Sequence, residues 1–64
     1  MLKELDCVVL LNDFEELPKW TKGTIVFDFE NDDTYLVEFF DNNHNTIKTT
    51  IVSRNNIEKI KNNL

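Results

Sequence analysis

The sequence has only one cysteine, one proline and one glycine among its 64 residues. A single cysteine excludes an intrachain disulfide, so the small secreted folds that rely on such bonds are not expected. The longest apolar run, Cys7 to Leu11, is far shorter than the roughly 20 residues of a membrane-spanning helix. The first residues show no basic segment followed by an apolar run, so no signal peptide is expected. These absences favour a cytoplasmic location, and the length of 64 residues predicts a single domain over residues 1–64.

Basic residues are also few, and they are unevenly distributed. The chain carries 12 acidic and 7 basic residues, a net charge of −5. Residues 1–41 hold 11 acids and 3 bases, a net of −8, whereas residues 42–64 hold 1 acid and 4 bases, a net of +3. This charge disfavours a phosphate backbone and favours a basic protein partner. The alternative is that the acids only keep a small domain soluble.

Residues 22–41 have the pattern of one long β-hairpin. Two runs rich in β-branched and aromatic residues, 24–29 and 34–40, flank a polar turn at residues 31–33. A period of two predicts that Ile25, Phe27 and Phe29 share one apolar face. In the second arm both faces carry apolar side chains, because Tyr35, Val37 and Phe39 alternate with Leu36, Glu38 and Phe40.

The segment before this hairpin predicts a strand and a long loop. Residues 5–11 form an apolar run suited to a strand that is covered on both faces. In the following loop Asn12 or Asp13 could cap one helical turn through Glu16, which Pro18 would end. Trp20 lies in this loop, either as an anchor for a partner or, as we favour, folded with Phe14 over the end of a barrel.

Gly23 stands immediately before the second predicted strand. This position suggests a positive φ angle or a close backbone approach.

The rest of the chain predicts a second hairpin and a closing strand. Residues 41–45 form a polar turn, and residues 46–52 alternate cleanly enough to pair with 35–40. Ser53 is a candidate cap for a short helical turn. A closing strand over residues 57–60 follows, although Ile57, Ile60 and Leu64 also recur at helical spacing.

These elements predict an all-β fold, a small SH3-like β-barrel of about five strands with a short helical turn. Barrel closure hides the hydrogen-bonding edges of the strands. The alternative architecture is an OB-like five-stranded barrel. Edge strands of so small a sheet could also pair between two copies to give a homodimer.

Neither a catalytic site nor a metal or cofactor site is predicted. Cys7 follows Asp6 and lacks the electropositive setting of a reactive thiol. His44 stands alone in a polar turn, without the ligands or carboxylates of a metal site or a triad. The acidic turn lacks the ligand spacing and the central glycine of a calcium loop. We therefore expect no cofactor and no enzymatic activity.

Four stretches give the chain a resemblance to a known family. They are LDCVVLLND at 5–13, LPKWTKGTIV at 17–26, YLVEFFDNNHNT at 35–46 and the tail through Ile57 and Ile60. Together they resemble the bacterial domain-of-unknown-function family numbered 4926. The resemblance implies a small SH3-like barrel with relatives among immunity or antitoxin proteins of bacterial competition systems. It supplies no catalytic residues.

The leading functional hypothesis is an immunity or antitoxin-type protein that neutralises a toxin, such as a nuclease, by covering its basic surface. A general adaptor that docks on an enzyme or peptide is the alternative. Nucleic-acid binding by the basic tail, Lys48, Arg54, Lys59 and Lys61, is disfavoured by the net charge. The predicted partner-binding residues are Asp28, Glu30, Asp32, Asp33 and Glu38, with Glu15, Glu16 and Trp20 as secondary candidates.

Overall fold

The chain forms one antiparallel five-stranded sheet, which confirms the predicted all-β fold. The computed structural model describes residues 2–30 and 32–60, so Asn31, Lys61 and Leu64 lie outside the described residues. The strands are β1 (Cys7–Leu10), β2 (Lys22–Phe29), β3 (Thr34–Phe40), β4 (Thr46–Ser53) and β5 (Ile57–Lys59).

The strand order in the sheet is β4-β3-β2-β1-β5. Both predicted hairpins are present, because β2 pairs with β3 and β3 pairs with β4. The last strand returns to pair with β1, so β4 and β5 are the two ends of the order. The chain thus makes a single sheet; its closure into an SH3-like barrel stays a prediction.

A short 3₁₀ helix connects β4 to β5, as predicted. It covers Arg54–Asn56, and the Ser53 hydroxyl accepts a hydrogen bond from the backbone N–H of Asn55 at 3.3 Å. The hydroxyl thereby caps the first free amide of the helix. The closing strand after this turn begins at Ile57, which is buried.

A β-bulge in β2 changes which side chains of that strand face the core. Ile25 pairs with Val37, but Phe27 pairs with Leu36, so Val26 is inserted between them. An inserted residue shifts the alternation by one position and moves later side chains to the opposite face. Ile25 is fully buried, whereas Phe27 is 48% exposed. The predicted shared face of Ile25, Phe27 and Phe29 is therefore wrong.

The core lies on the face of the sheet opposite to Phe27. Paired residues of neighbouring strands share a face, and the register places Ile25, Val37 and Thr50 together there. The loop after β1 supplies Leu17, which is 3% exposed, and Phe14 packs against the same cluster. The buried apolar side chains are Val8, Leu10, Leu17, Ile25, Tyr35, Val37, Phe39, Val52 and Ile57.

The loop between β1 and β2 contains a tight turn in place of the predicted helical turn. Phe14 and Leu17 exchange two backbone hydrogen bonds of 2.8 Å, and Glu15 between them has a left-handed φ of 55°. The predicted cap residue Asp13 instead accepts a hydrogen bond from the Lys19 N–H at 2.8 Å. A helix is not formed because the chain must reverse within four residues to place Leu17 in the core.

Gly23 makes room for two side chains of the neighbouring strand β3. Its φ is not positive, so that part of the prediction is wrong. A Cβ atom here would lie 2.7 Å from Val37 Cγ1 and 2.8 Å from Phe39 Cδ1. Such distances are too short for real contacts, so glycine leaves the space that these two side chains fill; the nearest backbone atom, the Glu38 carbonyl oxygen, would lie 3.0 Å from the added Cβ.

Candidate protein-binding surfaces

Three of the predicted acidic residues lie around one groove at the end of the β2–β3 hairpin that carries the turn. The groove has a volume of about 440 Å³ and is lined by Asp28, Glu30 and Asp33, with Tyr35 and Arg54. Asp28 is paired with Tyr35 across the two strands, and the Arg54 N–H donates to the Asp33 carbonyl at 2.9 Å. We call this concavity the acidic groove; its three carboxylates and one guanidinium give it a net charge of −2.

No ion pair within the described ranges neutralises the carboxylates of the acidic groove. The ion pairs among residues 2–30 and 32–60 join Lys48 to Glu15 at 2.9 Å and Lys59 to Asp6 at 3.7 Å. Asp32 is exposed in the turn next to the groove, and its N–H donates to the Phe29 carbonyl at 3.2 Å. The negative charge at this end therefore faces solvent.

The other predicted acids do not join this groove. Glu38 pairs with Thr24 and Thr49 on the face opposite to the core, where its carboxylate accepts a bond from the Thr46 hydroxyl at 3.1 Å. Glu15 and Glu16 lie in the turn after β1. The predicted set of acids is thus divided among three places on the molecule.

Glu15 is already engaged by the edge strand β4. The Lys48 ammonium lies 2.9 Å from its carboxylate, and the Thr50 hydroxyl donates to it at 3.4 Å. The hydrogen bond from Lys48 lowers the pKa of Glu15, and the same contact raises the pKa of Lys48. This carboxylate joins the loop to the sheet and is less available to a partner than the acids of the groove.

Trp20 is exposed, in contrast to the predicted position over the end of the barrel. Its side chain is 60% exposed and its φ is 77°, a left-handed conformation that is uncommon for a bulky residue. The backbone N–H of Trp20 donates to the Leu10 carbonyl at 2.9 Å. The Lys19 ammonium lies 4.8 Å from the centre of the Trp20 ring. The loop holds this aromatic side chain in solvent at a cost in backbone energy.

Trp20 lines a second groove of about 360 Å³ together with Lys22, Phe40, His44 and Ile47. The Phe40 and His44 rings are stacked with their centres 5.6 Å apart. His44 also has a left-handed φ, of 67°. We call this concavity the Trp20 groove; its lining combines aromatic rings with the side chains of Lys19 and Lys22.

The turn between β3 and β4 fixes one wall of the Trp20 groove. The Asp41 carboxylate accepts hydrogen bonds from the N–H groups of Asn43 and Asn45, at 2.8 and 3.0 Å. These bonds, that from Asn45 first, lower the pKa of Asp41. The predicted turn is confirmed, and its charged oxygen orders the segment that carries His44.

Sequence reasoning named Trp20 but not its neighbours in the groove. The sequence predicts Phe40 as part of a strand and His44 as a residue of a polar turn, and it places neither in a groove. The sequence does contain a signal for the stacked pair of Phe40 and His44. Histidine is among the residues that adopt left-handed backbone more readily, and His44 lies four positions after Phe40. The approach of the loop at Trp20 to this turn is a tertiary contact, which no local pattern encodes.

Neither groove contains a cluster of the side chains that bind metals. Among residues 2–30 and 32–60, no three His, Cys, Asp or Glu side chains converge in a geometry that could hold an ion. In the same ranges, no helix has the length and apolar character that crossing a membrane requires. The two grooves differ in chemistry: carboxylates line one, and aromatic rings line the other.

Comparison with family models identifies the family of this chain. No curated protein and no solved structure matches the chain. The model of the family described as "Domain of unknown function (DUF4926)" matches residues 4–59, which include every strand of the sheet. The chain therefore belongs to the DUF4926 family.

Proposed function

We propose that this protein is an acidic protein-binding module, an immunity or antitoxin-type protein that neutralises a bacterial toxin by covering a basic surface. The observation that carries the proposal is the acidic groove, which three carboxylates line without an ion-pair partner among the described residues. A basic nuclease is a suitable target, because its positive groove for phosphates is complementary to this surface.

The proposed mechanism is occlusion without chemistry. Long-range attraction between the chain, with its net charge of −5, and a basic protein would accelerate their encounter. Short contacts would then be made by Asp28, Glu30 and Asp33, while Asp32 adds to the steering field. Salt weakens such an encounter because it screens exposed charges beyond about 10 Å at 0.1 M.

The test is capture of partners from a lysate of the native cells, at low and high salt, with mass spectrometry of the bound proteins. The tagged wild-type chain is compared with the double variant Glu30→Gln/Asp33→Asn. Asparagine tolerates the left-handed φ of 52° at position 33. We expect one basic partner that is retained at low salt, released at high salt and lost with this variant.

The matched control is the double variant Glu4→Gln/Glu58→Gln, which neutralises two exposed acids outside the groove. Both double variants change the net charge by the same amount, from −5 to −3. The captured protein must also be toxic when expressed alone and harmless when expressed with the wild-type chain. Equal loss of binding with both variants, or a partner that is not toxic, contradicts the proposal.

The Trp20 groove favours the second candidate function, a general adaptor. An exposed tryptophan held in a strained backbone conformation has the properties of a binding anchor. For an adaptor, the partner would be a non-toxic cellular enzyme or peptide, and Trp20→Ala would abolish its capture. The same partner would remain bound to Glu30→Gln/Asp33→Asn, which separates the two functions in one experiment.

A further inference from the structure

The face of the sheet opposite to the core carries an exposed apolar row across three strands. Phe27, Leu36 and Ile51 are paired directly from β2 to β3 to β4. Phe27 and Ile51 are 48% and 53% exposed. Phe29 extends the row, since its ring meets that of Phe27 edge to face with the ring centres 4.8 Å apart. We call this side of β2, β3 and β4 the outer face.

The outer face is nearly free of charge in a chain whose residues are 30% charged. Among residues 2–30 and 32–60, only Glu38 and Lys22 carry a charge at the outward positions of these strands, and their charges cancel. The outward positions given by the register are Lys22, Thr24, Phe27, Phe29, Thr34, Leu36, Glu38, Phe40, Thr46, Thr49, Ile51 and Ser53.

We propose that the outer face is a homodimer interface that brings the Phe27–Leu36–Ile51 row of one copy against that of a second copy. Two chains with a charge of −5 each repel one another. They can approach with little local repulsion where the acids are absent, and the outer face is such a place. A two-fold interface uses the same patch on both copies, so that patch must be complementary to itself. Lys22 and Glu38 suit this requirement, because they carry opposite charges.

A basic partner is a poorer occupant of this face than a second copy. The outer face offers such a partner one carboxylate, whereas the acidic groove offers three. The proposed dimer also differs from pairing of edge strands, because Phe27 lies in β2, which has a neighbouring strand on each side. The dimer leaves the hydrogen bonds of β2 to both neighbouring strands intact. It does not depend on the proposed toxin-binding function.

The expected affinity is modest. Standard interfaces use about 20–30 residues a side, and the outer face offers fewer positions than that. We therefore expect dimers to form in the range of about 10 µM to 1 mM, as for small transient contacts. Salt should strengthen the dimer by screening the repulsion between the copies, which is opposite to its effect on a basic partner at the acidic groove.

Sedimentation equilibrium over this concentration range tests the proposal. The wild-type chain should shift from its 7.6 kDa monomer to twice that mass. Phe27→Lys and Ile51→Lys should each raise the dissociation constant at least about tenfold, which corresponds to about 1.4 kcal/mol. Asn55→Lys, which adds the same charge to the exposed 3₁₀ helix, should leave the constant unchanged. Far-UV circular dichroism confirms that each variant is folded.

Three results would overturn the proposal. A wild-type mass that stays monomeric to about 1 mM leaves the outer face to a different partner. Dimerisation that is lost in Ile51→Lys but kept in Phe27→Lys indicates pairing through the edge strand β4. Dimers that are weakened equally by all three lysine variants indicate no specific interface.

Discussion

The Lys48 ammonium lies 2.9 Å from the Glu15 carboxylate and joins the loop after β1 to the edge strand β4. The two residues are 33 positions apart in the sequence. The Thr50 hydroxyl reaches the same carboxylate at 3.4 Å. This contact holds the Phe14–Leu17 turn across the core, where Leu17 is buried.

The Glu15–Lys48 contact predicts a specific pH dependence of stability. Because the contact lowers the pKa of Glu15 in the folded chain, its stabilisation is present above the unfolded pKa and is lost as the pH falls through the folded pKa. Both side chains are exposed to solvent, so the effect will be small. Glu15→Gln should lower the urea midpoint at neutral pH, and this difference should vanish in acid.

Glu16→Gln is the control for this pH dependence. It removes the same charge from the same turn but has no ion pair among the described residues. A midpoint difference for Glu15→Gln that persists unchanged below the folded pKa would show that the carboxylate charge does not stabilise the loop.

Gly23→Ala should destabilise the fold strongly for so small a change. The added Cβ would meet Val37 Cγ1 at 2.7 Å, Phe39 Cδ1 at 2.8 Å and the Glu38 carbonyl oxygen at 3.0 Å. Overpacking of this kind costs about 1–3 kcal/mol. Urea unfolding measures the change, with Thr49→Ala at an exposed position of β4 as the control. Equal midpoints for the two variants would contradict the tight packing of the Val37 and Phe39 side chains against Gly23.

The bulge at Val26 predicts unequal costs for two neighbouring apolar residues. Ile25 is fully buried whereas Phe27 is 48% exposed. Ile25→Ala should lower the free energy of unfolding by about 2–5 kcal/mol. Phe27→Ala should lower it clearly less, mainly through the loss of the edge contact with Phe29. Unfolding is measured at low micromolar concentration so that self-association does not contribute. Equal or reversed costs would indicate a register without the bulge.

The same bulge shows where sequence analysis succeeds and where it stops. The strands, both hairpins and the Ser53 cap follow from local alternation and turn residues, and the structure confirms them. The face of Phe27 could not be predicted, because both registers leave an acceptable local pattern and the packing of Ile25 against Val37 decides between them. The positions of the predicted acids also could not be read from local pattern, because residues that are near one another in the sequence lie on different parts of the sheet.

The hydrogen bonds to Asp41 predict that Asp41→Asn loosens the turn that carries His44. Backbone N–H groups of Asn45 and Asn43 lower the pKa of Asp41, so its stabilisation is present above the unfolded pKa and is lost as the pH falls through the folded value. Amide hydrogen exchange at Asn43 and Asn45 should be faster in the variant at neutral pH. Exchange rates equal to those of the wild type would exclude this role.

Replacement of Trp20 should reveal the strain of its left-handed backbone. Left-handed backbone costs an L-residue roughly 1–2 kcal/mol, and glycine avoids this cost. Trp20→Gly therefore relieves strain while it loses few contacts, because the side chain is 60% exposed. Trp20→Ala keeps the strain and loses the same contacts, so the glycine variant should be the more stable of the two by up to about 1–2 kcal/mol.

Urea unfolding followed by far-UV circular dichroism, which does not need the tryptophan signal, measures this order. An alanine variant as stable as the glycine variant would mean that the φ of 77° stores no strain. The predicted order would show that the left-handed backbone at Trp20 costs stability that a glycine recovers, as the adaptor proposal expects of a binding anchor.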